Sequence, residues 1–294
     1  MNTKLILGFL DTVARNNNRP WFLEHKKEYN ICKADFEADI TRAIAEIATI
    51  DAEVAHLTAK DCIYRFNRDT RFSPDKSPFK RHFGAMICAK GRKSLRGGYY
   101  IHLQPGHSFI AIGSYWLPTP ILTACRNESM GNIDLWRKAV EAGPFVRYFG
   151  YPGEGVMNDD EMSDRGFGIA MLKTAPKGFP RDYPYIDYLR MKDYCCWKRV
   201  PDSLFDAPDW PHQLLKYFEA AKPMMDMIVS QVYLAHAAYA NVIGRSEALL
   251  SMCEGMHFAP VALTYRILHA AAYERRGAPT QGPALPREPL YTGR

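Results

Sequence analysis

The chain of 294 residues has no long apolar run: no window approaches the roughly 18 uninterrupted apolar residues of a membrane helix. The apolar stretch nearest the N-terminus, MNTKLILGFLDTVAR, carries Asp11, so an amphipathic helix is expected there rather than a signal peptide. Cysteine spacing of a useful kind is also missing. The seven cysteines form an odd set whose only close pair, Cys195 and Cys196, is adjacent, which indicates neither a disulfide framework nor a zinc site. Reduced thiols of a cytoplasmic protein are the expectation. A Gly-rich phosphate loop, a nucleophile elbow, a paired-His metal motif and an internal repeat are absent too, and no metal, cofactor or membrane association is expected.

Lysine and aspartate vanish from residues 233–294, although the first 232 residues hold sixteen lysines. That break predicts a single domain over 1–232, a helical extension over 233–276 and a disordered Pro/Gly-rich tail over 277–294. With 47% hydrophobic and 13% aromatic residues the chain has ample material for a packed core.

Periodicity assigns the elements. Leu5, Phe9, Leu10 and Val13 repeat at helical spacing until Asn16-Asn17-Asn18, and Pro20 suits the first turn of a new helix whose apolar positions run from Phe22 to Ile47, as one helix or two. From Cys62 the pattern changes to short bursts, CIYRFN, FGAMICA, GYYIHLQ and SFIAIGSYW, divided by turn-formers such as Pro105-Gly106. Connections this short favour antiparallel neighbours. Helical character returns over 118–142, residues 150–168 read as a Gly/Asp-rich loop, 172–194 as a strand end, a basic loop and a short helix, and Pro211 to Val232 as a helix. The expected fold is α+β: an antiparallel β-meander sheet flanked by N-terminal and C-terminal helices. In GYYIHLQ, Tyr99, Ile101 and Leu103 share one face, while Tyr100, His102 and Gln104 share another that is polar enough to wall a site.

Positive charge is concentrated. Residues 64–96 hold ten basic and two acidic side chains, a net +8 against +6 for the whole chain, which points to an anionic partner. Within YRFNRDTRFSPDKSPFKRHF, Arg65, Arg68 and Arg71 offer planar forks for carboxylate or phosphate, and Lys76 a compact charge. Asp69 and Asp75 would orient those forks, with Asp69 a candidate general base. The competing reading is that the charges lock the turn by pairing internally, with Phe72 and Phe79 as anchors. His102 is the other proton-transfer candidate, set against an ordinary hydrogen-bonded histidine. Lys177 and Arg181, in a Pro/Gly turn, would join the anion site if the fold brings the two loops together.

Those residues resemble the hallmark of domain of unknown function 2461, a family of bacteria and some fungi. Arg65, Arg68, Asp69, Arg71, Phe72, Asp75 and Lys76 meet it, while Phe79 stands where tyrosine is usual, so no phenolic hydroxyl is available there. NNNRPWFLEHKKEY (16–29), YYIHLQPGHSFIAIG (99–113) and LKTAPKGFPRDYP (172–184) agree as well, and the resemblance covers about residues 4–232. It implies one domain and a special role for the hallmark, and supplies no reaction. Three functions are therefore carried forward. The first is recognition of an anionic small molecule, phosphorylated or nucleotide-like, with or without catalysis. The second is a nucleic-acid or protein-binding module in which Tyr64, Phe66, Tyr99 and Tyr100 act as stacking platforms. The third is a structural role for the hallmark.

Overall fold

The computed structural model describes residues 2–243 apart from 72, 93, 116, 159 and 160. The chain divides into two compact units, Met1–Tyr233 and Leu234–Arg294. Beyond Ile243, the remainder of the expected extension and the whole of the expected tail lie outside the described residues.

Helix α1 (Thr3–Arg15) begins where the Asn2 side chain accepts the Leu5 N–H at 3.1 Å and ends at Asn16. Its buried stripe is Ile6, Phe9, Leu10 and Val13, one position shifted from the expected start at Leu5. Asn18 caps α2 (Arg19–Glu24) by accepting from Trp21 N–H at 3.0 Å, and a break at His25 separates it from α3 (Lys26–Ala48). The short α4 (Ala59–Cys62), held by a capping box between Thr58 and Asp61, leads into the sheet.

Five strands form one antiparallel sheet: β1 (Phe83–Ile87), β2 (Gly98–Leu103), β3 (Phe109–Ser114), β4 (Arg165–Phe167) and β5 (Tyr194–Arg199), in the order β1-β2-β3-β5-β4. The first three are the meander. Between β3 and β4 come α5 (Thr119–Gly131), α6 (Ile133–Val140) and α7 (Gly143–Phe149); α8 (Ile186–Arg190) precedes β5, and α9 (Trp210–Ile243) follows it. An α+β fold with helices before and after an antiparallel sheet is thus what the chain adopts.

Two assignments need correction. CIYRFN makes only isolated bridges, Ile63 to Ala85 and Asn67 to Phe79, because the pairing slips between them. Tyr64 N–H bonds Gly84 O and Lys80 N–H bonds Phe66 O, so one residue, Arg65, faces three, Arg81, His82 and Phe83. A bulge of this kind bends the chain and re-aims side chains. The other correction concerns the last two strands: β4 lies within 150–168, expected as a loop, and beyond the short helix expected to end near Tyr194, where no element was expected, runs β5. Its CCWKR has no clean alternation of polar and apolar residues because both faces of this central strand are covered.

One face of the sheet is closed by helices. Tyr99, Ile101, Leu103 and Ile110 are fully buried there. Phe36 of α3 stacks on Phe83 with centroids 5.2 Å apart, and Phe218 of α9 meets Tyr99 edge-on at 5.1 Å. Burial of this kind is the main stabilising term of the fold. The opposite face stays partly open. Gly166 on β4 lets the Trp197 indole lie against the backbone, since a Cβ there would come within 2.1 Å of the ring.

Candidate functional site

On the open face lies a cleft of about 1060 Å³, at the upper end of small-ligand cavities. Strand register builds its floor in rows. Gly84, His102, Phe109 and Arg199 stand side by side across β1, β2, β3 and β5; the next row is Met86, Tyr100, Ala111 and Trp197; beyond it come Gly98, Gly113 and Cys195. Met157 and Met162, bridged to each other, and Ile169 pack on Ala111, Cys195 and Trp197.

The polar end is ordered. Tyr100 O–H contacts His102 Nδ1 at 2.9 Å, and His102 Nε2 contacts Gln104 Oε1 at 3.0 Å. Since the carboxamide oxygen only accepts, Nε2 carries the ring proton and Nδ1 accepts from tyrosine. Burial pushes the His102 pKa down from 6.5 to about 4, and the imidazole is neutral near pH 7. The bulge places His82 against it, ring centroids 4.1 Å apart. Burial first, then His102 and Lys80, push His82 down to about 2. Lys80 lies over the Tyr64 ring with Nζ 5.0 Å from the centroid, a cation–π contact, and burial lowers its pKa. Among the described residues Lys80 makes no ion pair and the His82 ring nitrogens make no hydrogen bond.

Asn17 fixes this segment. Its carboxamide donates to Phe79 O at 2.9 Å and accepts Phe79 N–H at 3.0 Å, as a strand partner would. Phe79 itself is buried and stacks on Phe22 at 4.0 Å. The NNNRPWF block and the hallmark are therefore two halves of one anchor.

The hallmark charges behave differently from those of the floor. Arg71 donates to both Asp69 oxygens, at 3.0 and 2.8 Å, and Arg65 approaches the same carboxylate at 3.9 Å. The Arg71 guanidinium holds the Asp69 carboxyl down to about 2, which makes it a poor general base. Arg68 pairs with Asp75 and bonds Ser73 Oγ at 3.2 Å, while Asp75 also accepts Ser77 N–H and O–H and lies 3.9 Å from Arg81. Lys76 donates to Thr70 O at 2.9 Å. Of the expected anion binders, Arg68 and Asp75 line the cleft; Arg65, Asp69, Arg71 and Lys76 do not. Lys177 and Arg181 are exposed and do not line it either, so the two basic loops do not share this cleft. His102 does line it, with both ring nitrogens engaged. Of the four aromatics considered for base stacking, Phe66 and Tyr99 are buried in the core, and only Tyr64 and Tyr100 reach the cleft.

Reading from composition passed over Lys80 and His82. The signal was present: counting back by two from Met86 and Gly84 on β1 reaches both, opposite the polar face of GYYIHLQ. As for metal ions, no group of three or more His, Cys, Asp or Glu side chains among the described residues is arranged to hold one.

A sheet closed by helices on one side and hollowed into a cleft on the other defines an α+β protein with an open antiparallel sheet. The chain belongs to the family described as conserved hypothetical protein (DUF2461), which matches residues 5–227. No curated protein and no solved structure matches it.

Proposed function

We propose that the protein binds a small organic anion in this cleft, with the anionic group, a phosphate or carboxylate, set against Lys80. The observation that carries the reading is the partnering of charges. The hallmark arginines are held by Asp69 and Asp75, whereas Lys80, half-buried in a cleft wall, has no carboxylate beside it among the described residues. A half-buried ammonium without a counterion is costly, and an anionic ligand offsets that cost. Arg68 and Arg81 at the rim add to the positive potential and guide an anion inward. Next to Lys80, the neutral His82 ring offers a ligand one accepting nitrogen and one N–H donor; with its pKa pushed down to about 2 it is no better a general base than Asp69, so its part is hydrogen bonding.

Native mass spectrometry of the full chain, beside Lys80→Met, tests the reading. A small-molecule adduct on the wild type that the variant lacks is the expected result. Equal adducts on both, or no saturable uptake of any organic anion by calorimetry, overturns it.

A further inference from the structure

We infer that the ligand is amphipathic: an organic anion whose charged head sits at the Lys80 end and whose apolar body runs along the sheet toward Ala111 and Cys195. This rests on the proposed anion site and names the class of molecule it takes.

The argument comes from the order of rows along the strands. At one end of the floor the row is Gly84, His102, Phe109 and Arg199, with His82 against the His102 ring and Gln104 bonded to it; two residues on, the row is Met86, Tyr100, Ala111 and Trp197; two more, Gly98, Gly113 and Cys195. Each of the two steps is about 7 Å, so the floor passes from polar to apolar over roughly 14 Å. The apolar end is not sealed into a core. Met86, Met157, Met162 and Ile169 remain half-exposed on the cleft wall while the cavity continues past them. Methionines on a concave open surface suit a flexible apolar ligand, because the thioether chain adapts to irregular shapes. Gly98, Ala111 and Gly113 line this end without a long side chain; at Gly98 and Gly113 close backbone, 2.7 and 2.0 Å from where a Cβ would sit, allows none, and Gly113 has φ +117°, where a side chain is disfavoured. A compact hydrophilic anion would use the polar end and leave this half of the cleft wet against apolar side chains.

A homologous series of straight-chain carboxylates, butyrate to octanoate, titrated into the full chain by calorimetry, separates the two statements. Affinity is expected to rise about threefold to fourfold per added methylene, as burial of each CH₂ predicts. Lys80→Met should weaken every member by a similar factor and keep that increment, while Ala111→Leu should abolish the increment and spare the short members. Should Ala111→Leu fold poorly, Met157→Ser on the half-exposed wall should at least halve the increment. A flat series that still depends on Lys80 overturns the amphipathic assignment and leaves the anion site standing. A rising series indifferent to Lys80→Met overturns the anion site, and no binding by any member overturns both.

Discussion

Tyr99 and Tyr100 are neighbours on β2 and carry the same phenol into opposite surroundings. Tyr99 is fully buried under α9, donates to Asp51 Oδ2 at 3.1 Å and meets Phe218 edge-on. Tyr100 stands half-buried on the cleft floor and donates to a neutral histidine. One face of the sheet holds the fold together; the other keeps polar atoms near solvent at the expense of packing. The sharpest way to break this division is to remove side-chain volume from each face. Ile101→Ala, on the closed face, is expected to cost about 2–5 kcal/mol by urea unfolding, and Met86→Ala, on the cleft face, about 1 kcal/mol. Equal costs would mean that both faces are core.

The next effect is in pH. Burial pushes the His102 pKa down to about 4, against 6.5 for a free histidine, so the unfolded chain takes up the proton first as pH falls. The stability from keeping the ring neutral is fully present above pH 6.5 and is lost as pH falls toward 4. Between pH 7 and 5 it amounts to about 2 kcal/mol, and His82 adds to it with the same sign. His102→Gln should remove that part of the slope whatever it does to stability at pH 7. Unfolding free energies at the two pH values decide, and an unchanged slope would show that the cleft face is more hydrated than its packing suggests.

Much of the fold can be read in the residues themselves. Helices α1 to α3 follow from apolar period and from Asn2, Asn18 and Pro20 at their starts, and the meander from short alternating bursts with Gly and Pro between them. Strand β5 was not legible, because a central strand covered on both faces loses the alternation that marks a strand. The site was legible in part. His102 and the polar face of β2 came from period two alone; the same period, carried back from β1, reaches Lys80 and His82, but their placement against that face also needs the register slip opposite Arg65 and Asn17, 62 residues from its partner Phe79. Charge density drew attention to Arg65 through Lys76, where cations are abundant and mostly partnered. What marks a ligand site is the partner a charge lacks, and that is a property of three dimensions.

Asn17 gives a smaller but more pointed effect. Asn17→Ala breaks both bonds to Phe79, and about 1–2 kcal/mol is expected at this part-buried position. Because Phe79 precedes Lys80, probe anions should bind more weakly as well. Lost stability with intact binding would show that the bulge holds Lys80 and His82 in place without this anchor.

The smallest effect expected is at the hallmark itself. Arg71 is 75% exposed and is gripped by Asp69, a geometry in which surface pairs contribute little. Arg71→Ala should shift the thermal midpoint by no more than about 2 °C and change octanoate affinity by less than about twofold. Its charge lies outside the cleft and is already neutralised nearby, so its removal alters the potential at Lys80 only through a screened distance. Should Arg71→Ala instead match Lys80→Met in its loss of binding, the hallmark loop must open its Asp69 pair to take the ligand. The contrast between a self-satisfied loop and an expectant floor would then fail at the point where it is most easily measured.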